Sequence, residues 1–589
     1  MFDFHVQFLG SGYIISRKTS FQSKFGELES MKPLRTTFKN LIMFGILGLG
    51  VVGSASASVS LKNGNFFIGY TDIFHSGGFE PKIERVYNSK TPFKGVFGWG
   101  WGNEYEVFLS VSADGSVVVH EYGGGAENRF VPISFNAAEL DKSVVEVAKV
   151  AQAAGVVGSG EQLTAYKLKL KNDASFRNDE WEKFRSQGRL KARQLVKGTQ
   201  LKSNRFSYQF ITKLAEGYQR DSDTGRIEKF DERGRLVKVS DKNGNFISIL
   251  NKAGYKELLD NFNRKIILRF NPKGLLTDIE GENQRRAKFT YNGQDELVSS
   301  VDVDKNAYNY KYDSLNRHNL IEIGYADKTT MGIEYYAKDK LESVKSIKDR
   351  DGTVTSYEYP NGSKEPYTVV IKVKGADGKA VSESKYEYFN KRKADGEEWT
   401  WKLVAVADGE SSETGYNESC GLPQTIKQGT QNTMFEYDGK CRVTQKATPE
   451  EITDLAYDPA VGKVSSVSKK SVETKKETSW SKFTYDPKGN LLTAKNSEGK
   501  NVKLIYDSVG RIHVLVDQEK RLVTFKYNES SKPVQISVEG LGAITIAYHN
   551  NGQIDKVDSS SGPKIASQVT QAFQELLDII RPAGVTLAF

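Results

Sequence analysis

Between residues 501 and 548 apolar and polar side chains alternate. Val502, Leu504 and Tyr506 fall on one side of an extended chain, as do Ile512, Val514 and Val516, then Val523, Phe525 and Tyr527. Val534, Ile536 and Val538 continue the pattern, and Ile544, Ile546 and Tyr548 end it. A period of two predicts strands with one apolar face. Turn sequences separate them, clearest in Tyr485-Asp486-Pro487-Lys488-Gly489-Asn490-Leu491 and Tyr506-Asp507-Ser508-Val509-Gly510-Arg511-Ile512. The tyrosines at 485, 506, 527 and 548 are 21 residues apart. That length holds two strands of about six residues and two turns, one β-hairpin, and a fixed period of this size marks a repeat array.

Each turn position has a physical role. The Asp after Tyr accepts from backbone N–H groups two residues on, and the Gly three residues later takes a positive φ without steric cost. Asp231, Gly234, Asp313, Asp486, Gly489, Asp507 and Gly510 are therefore scaffold. Aligned on its terminal aromatic or apolar residue, the array runs back through Tyr457, Tyr437, Tyr416, Tyr388, Tyr359, Tyr336, Tyr312, Tyr291, Phe270, Leu250 and Phe230. Longer steps before Tyr388, Tyr416 and Tyr485 predict lengthened hairpin loops. The tyrosines are expected to form an aromatic ladder across the sheet, and each hairpin to depend on its neighbours for burial.

Upstream, residues 59–130 also read as strands, with hairpin turns at Asp114-Gly115 and Gly123-Gly124-Gly125. Trp99 and Trp101, alternating with glycines, either close the end of a sheet or stack on a sugar. Residues 133–205 break the strand rhythm. Asn136 to Ala154 is predicted helical from Leu140, Val144 and Val147 or Ala148, and Asp173 to Val196 from Phe176, Trp181 and Phe184. Tyr166, Leu168 and Leu170 alternate as in a strand. The glycine-rich Gly155–Gly160 lacks the Lys and Ser/Thr of a phosphate loop and reads as a linker.

The two ends differ from this pattern. Met31-Lys32-Pro33-Leu34-Arg35 is a basic opening, followed by the apolar run Leu41–Val52 and the small residues Ala55-Ser56-Ala57. This describes a secretory signal peptide cleaved after Ala57, too short in its apolar part to span a membrane. The exported chain is expected in the periplasm, on the outer surface or outside the cell, with translation starting at Met31. At the other end Val569, Phe573, Leu576 or Leu577 and Ile580 share one helical face, which Pro582 terminates. Val585, Leu587 and Phe589 alternate after it, as an apolar plug on an exposed sheet end or as an outer-membrane insertion signal.

The YD turn with Gly-Arg or Gly-Asn behind it resembles the repeat of the Rhs/YD-repeat proteins. Val237–Asn245 resembles that family's first repeats, and Arg85-Val86-Tyr87-Asn88-Ser89 followed by Gly98-Trp99-Gly100-Trp101 resembles the domain preceding them. The resemblance covers roughly 59–132 and 206–556. It implies a mostly β fold, one long antiparallel sheet wound into a spiral or partial shell, to which the periodicities above add a helical insertion and a C-terminal helix. Members that release a toxin carry a self-cleavage segment with aspartates and a toxin after it. The roughly thirty residues after the last repeat here resemble neither. The implied organisation is an extension 1–30, a signal peptide 31–57, a β domain 58–132, an insertion 133–205, the array 206–556 and a tail 557–589.

Charge and chemistry change this picture little. The 589 residues carry a formal charge of +9, spread along the strands without a basic block, so no nucleic-acid footprint is indicated. His5, His75, His120, His318, His513 and His549 form no local pair at metal spacing. No Ser/His/Asp motif stands out, and neither metal nor cofactor is expected. Cys420 and Cys441 align at the same turn position one period apart, and export permits a disulfide. Equivalent turns lie about 9–10 Å apart, so the turns must bend together to form it.

The expected function is non-enzymatic: a secreted or cell-surface scaffold for adhesion or for glycan or protein binding, with Trp99 and Trp101 as the binding candidates. The alternative is a shell around a separately encoded toxin or effector. The export reading predicts a mature mass beginning at Ser58. An intact precursor carrying the first thirty residues would contradict a start at Met31.

Overall fold

The computed structural model describes residues 58–559 except 76, 124, 134–136, 192, 204–208, 223, 316, 337–341, 363, 408 and 550–552. It also describes a hairpin of Val6–Leu9 and Gly12–Ile15, and helical positions 565, 567–569, 571 and 579. The signal peptide 31–57, the rest of the extension 1–30, His5 and most of the tail lie outside the described residues.

One antiparallel sheet of 36 strands runs from Phe108–Val111 to Ile554–Ser559, each strand paired with its neighbours in sequence. The sheet is open: the ladders at its ends pair Phe108–Val111 with Val117–Glu121 and Gly542–Tyr548 with Ile554–Ser559. The free edge of the first strand rests on the Asp231–Arg235 turn, where the Leu109 N–H donates to the Gly234 carbonyl at 2.7 Å. The sheet thus begins at Phe108, ahead of the insertion, and a separate four-stranded sheet precedes it. Its four strands are Ser58–Ser60, Asn65–Phe74, Lys82–Asn88 and Trp101–Asn103.

The turns explain the period. Asp507 Oδ1 accepts from the N–H groups of Val509 and Arg511, and its Oδ2 accepts from Arg511 Nε. Asp231 and Asp438 hold Arg235 and Arg442 in the same way, and Asp486 holds Asn490. Satisfying two backbone donors and a side chain with one carboxylate fixes a five-residue loop. Gly489 at φ 81 and Gly510 at φ 83 occupy its left-handed position, and Cys441 takes it at φ 60. The register slips by one residue at Tyr485, Tyr506, Tyr527 and Tyr548, a bulge at each strand end.

The tyrosines bind by their hydroxyls more regularly than by their rings. Tyr291, Tyr312, Tyr506, Tyr527 and Tyr548 each donate to the carbonyl 15 residues earlier, over 2.6–3.0 Å. Each repeat is thereby tied to the one before it. Ring pairs close enough to interact occur locally, as at Tyr336–Tyr359 and Tyr367–Tyr388. The repeat position near 336 belongs to Tyr335, which donates to the Leu320 carbonyl at 3.1 Å. The long steps lengthen strands as well as loops: Ala380–Arg392 has 13 residues and Glu398–Ala407 has 10.

In the insertion, helices span Ala137–Ala153, Glu161–Asn172 and Ala174–Ser186. The second stands where alternation predicted a strand. Leu163, Tyr166 and Leu170 share a helical face toward the other two helices, and Leu168 is exposed. Asp173 caps the third helix by accepting from the Phe176 N–H at 3.0 Å.

The sheet winds so that opposite edges of distant repeats meet. Lys242 Nζ donates to the Gly489 carbonyl at 2.6 Å, and Asn490 Nδ2 to Asn243 Oδ1 at 2.7 Å, both 247 residues apart. Asn245 Nδ2 reaches the Val509 carbonyl at 2.9 Å. The turns holding Asn243 and Asn490 are separated by 21 strands, so about ten and a half hairpins complete one revolution.

Removing the Tyr506 hydroxyl by Tyr506→Phe should cost about 1 kcal/mol, and stripping three donors of their acceptor by Asp507→Ala about 2 kcal/mol. Both losses should appear as faster amide exchange centred on 491–512. Equal protection in Asp507→Ala and the parent would contradict the turn's role.

Candidate functional site: the closure contacts and the inner wall

The inner face of the sheet carries the strand residues two and four places before each repeat tyrosine. Along 247–371 the small N-terminal sheet covers this face, with Phe66, Ile68, Ile73, Ile83 and Trp101 in one core with Ile266, Ile279, Phe289 and Ile333. A buried charge pair lies at the contact. Arg85 Nε and Asp72 Oδ2 are 2.8 Å apart with neither side chain exposed, and Arg85 Nη2 donates to Ser300 Oγ at 2.8 Å. The guanidinium lies 4.6 Å from the Tyr70 ring centroid and 4.8 Å from that of Trp101. Burial pushes the Asp72 carboxyl up to about 6 against the pull of Arg85.

The two tryptophans differ in setting. Trp101 is buried and donates from Nε1 to the Tyr312 hydroxyl at 2.9 Å. Trp99 lies flat on the His318 ring, centroids 4.6 Å apart. The pair fixes the N-terminal domain in the array, because the N–H of one tryptophan and the face of the other already have partners.

Along 455–546 the inner face is covered from the other end of the chain. Ile565, Val569 and Ile579 are buried in one core with Leu504, Leu515, Phe525 and Ile546. Between these covers no described residue lies over the wall. Leu403, Ala405, Ser412, Thr414, Ile426, Thr433, Phe435 and Lys446 share the inner face by cross-strand register and are all half-buried. In the four strands Glu398–Ala407, Pro423–Gln428, Gln431–Tyr437 and Val443–Ala447 no residue is buried. Serine, threonine and lysine here replace the aliphatic residues of the covered stretches, as suits a surface that meets water.

The Cys420–Cys441 disulfide lies in this stretch, with a Cα–Cα separation of 5.5 Å. The two positions are not equivalent. Cys441 takes the left-handed position of its turn, whereas Gly421 takes it in the other, one residue longer turn, and Cys420 precedes it. That extra residue lets the turns approach more closely than two strand spacings.

The insertion closes the wall elsewhere. Arg177 Nη2 donates to Asp114 Oδ2 at 3.0 Å and to the Asp395 carbonyl at 2.9 Å, and Arg129 Nη1 to Asp395 Oδ2 at 2.8 Å. Burial opposes ionisation of Asp114, yet Arg129 and Arg177 hold it down at about 2. The Ala174 N–H donates to the Gly396 carbonyl, and a Cβ at Gly396 would come within 2.8 Å of the Asn172 backbone. The helices therefore clamp the longest hairpin of the array to its first strands.

One constellation was not visible in sequence. Ser110 Oγ lies 2.8 Å from His120 Nε2, and His120 Nδ1 lies 3.1 Å from Glu127 Oε1. Pairing of His120 with both Phe108 and Glu127 brings the three together, and only the register could have revealed it. Glu127 is 64% exposed, and the imidazole is stacked on Phe108 with centroids 4.4 Å apart. A carboxylate in water orients an imidazole weakly, so the trio reads as a cross-strand polar cluster. Among the described residues no group of His, Cys, Asp and Glu could hold a metal ion.

Residues 56–130 match a domain of unknown function, DUF6531, and no curated protein sequence matches the chain. Among solved structures, the crystal structure of TcdB2-TccC3 without hypervariable C-terminal region aligns at 11% identity and a TM-score of 0.43. It covers 89% of this chain and 29% of that one. The structure of TcdB2-TccC3-TEV aligns at 11% identity over 89% and 29%, with a TM-score of 0.42. The Photorhabdus luminescens Tc holotoxin pore aligns at 11% identity over 86% and 28%, with a TM-score of 0.30. The chain spans less than a third of each of these structures.

The joint between the N-terminal domain and the array titrates. Burial pushes Glu104 up to about 8 and Glu106 up to about 7, although the Val96 N–H donates to Glu106 Oε1 at 2.7 Å. With folded values above the ordinary 4.5, their stabilisation is complete below pH 4.5 and lost as pH rises through 7 to 8. Burial, aided by Arg285 and Arg264, lowers His75 to about 4, so its contribution is present above 6.5 and lost as pH falls through 4. Between these limits two losses outweigh one gain, so the three groups together favour the domain most at about pH 4–5 and progressively less toward pH 8. Glu104→Gln should flatten the alkaline limb of thermal melts and spare the acid limb; an unchanged alkaline limb would contradict this.

Proposed function

We propose that the protein is a non-enzymatic, exported YD-repeat scaffold that holds a protein partner, in the manner of a shell around a separate effector, against the bare inner wall between Leu403 and Lys446. One observation carries this reading. Among the described residues, the N-terminal sheet and Ile565, Val569 and Ile579 cover the inner face on both flanks, and this stretch is left uncovered. Phe435, Ile426 and Leu403 offer apolar contact, and Thr414, Thr433 and Lys446 offer hydrogen bonds, the mixture expected of a non-obligate interface.

A second reading, adhesion to a glycan, is favoured by the outer face of the longest hairpin. There Phe389 and Trp401 lie 6.1 Å apart, with Lys391 and Lys402 against their rings. Half-buried aromatic faces beside ammonium groups suit an acidic sugar.

A photo-crosslinking residue at Phe435, which faces inward, or at Met434, which faces outward, separates the two readings. In cells, Phe435 should capture one defined polypeptide and Met434 should not. No product at Phe435, or equal products at both positions, would overturn the shell reading.

A further inference from the structure

We propose that the Cys420–Cys441 disulfide is a redox latch on the uncovered wall, and that a dithiol reductant loosens the sheet there and nowhere else. Three observations converge on the same stretch. First, among the described residues the strands Glu398–Ala407, Pro423–Gln428, Gln431–Tyr437 and Val443–Ala447 lack the apolar cover that holds the hairpins on either side. Second, the tie between turns differs here. Arg511 reaches forward from its turn to Ser531 Oγ at 2.9 Å and lies over the Tyr527 ring, and Arg442 reaches the Gly462 carbonyl at 3.2 Å and lies over Tyr457. The position of Arg511 and Arg442 is occupied by Leu422 in the preceding turn, where the Asn417 N–H donates to the Leu422 carbonyl at 2.8 Å. A leucine cannot make that forward tie, and the disulfide joins this turn to the next one. Third, Cys441 holds a left-handed backbone position, φ 60, that glycine fills in the turns of Gly489 and Gly510. A side chain carries a conformational cost there, which the covalent link offsets.

The chemistry is thiol–disulfide exchange. A thiolate of the reductant attacks Sγ of Cys441, the more exposed of the two residues. The sulfur–sulfur bond breaks and Cys420 leaves as a thiolate, which takes up a proton. The second thiol of the reductant then displaces Cys441, leaving two protein thiols and the reductant as its own disulfide. No further electron donor is needed. The wall between Ser412 and Ala447 then keeps its strand ladders but loses the tie between the 417–422 and 438–442 turns.

The latch's purpose rests on the reading of the bare wall as a partner surface; its existence does not. The test is segment-resolved hydrogen exchange on the full chain, oxidised or treated with dithiothreitol. Reduction should speed exchange about tenfold or more over 412–447 and leave 502–546 within about twofold. The double variant Cys420→Ala/Cys441→Gly, which restores glycine at the left-handed position, should exchange like the reduced parent and ignore the reductant. Unchanged exchange on reduction, or an equal rise across both segments, would overturn the latch. So would a double variant as protected as the oxidised parent. A latch that fails while Phe435 still captures a partner leaves the shell reading intact, and the converse result leaves the latch.

Discussion

Everything in this molecule depends on how one carboxylate is satisfied. In each complete turn an aspartate takes two backbone N–H groups on one oxygen and an arginine or asparagine side chain on the other, as Asp507 does with Val509 and Arg511. The loop has one length because only that length brings all three donors to the same group. A constant loop sets a constant register, the register puts the tyrosine at a bulge, and from there its hydroxyl reaches the carbonyl of the preceding hairpin. Local hydrogen bonding is thereby converted into long-range order. Each hairpin is marginal alone, but each is tied to its neighbour on the side where it would otherwise fray.

The winding of the sheet raises a second problem, the large apolar inner face that each repeat adds. The chain solves it with its own ends. The N-terminal sheet is fixed through Arg85, Asp72 and Trp101, and the C-terminal positions Ile565, Val569 and Ile579 cover the last hairpins. Edge contacts such as Lys242 with Gly489 fix the pitch, and the helical insertion clamps the one hairpin that outgrows the wall, through Arg177 and Asp395. Where no cover reaches, the inner positions turn polar and a disulfide ties the turns. The proposed function rests on that contrast between covered and bare wall.

Much of the fold was legible in the sequence because its signals are local. Alternation at Val502, Leu504 and Tyr506 gives strands, and Asp507 with Gly510 gives the turn. What was not legible depends on distant pairing. Tyr335 rather than Tyr336 fills its repeat position because a bulge, invisible in spacing alone, sets the register. Tyr166, Leu168 and Leu170 satisfy both a two-residue and a helical period, and burial of Leu163 and Leu170 against two other helices decides for the helix. For Trp99 and Trp101 closing a sheet end and stacking on a sugar both stayed open, because aromatics among glycines carry no sign of what packs on them. Their partners, His318 and Tyr312, stand more than two hundred residues away. The bare wall was hidden for the same reason, since threonine and serine at inner positions acquire meaning only when the covers on either side are located.

The central claim is that one revolution brings opposite edges of the sheet together, so that the repeats near 243 and 490 touch. The direct measurement is a cross-link between Asn243→Cys and Asn490→Cys, whose parent side chains are in hydrogen-bond contact at 2.7 Å. With a short bis-maleimide the account predicts an efficient intramolecular product joining those two peptides in the monomer. An extended or differently wound array, in which the two cysteines react only singly or between molecules, would contradict it.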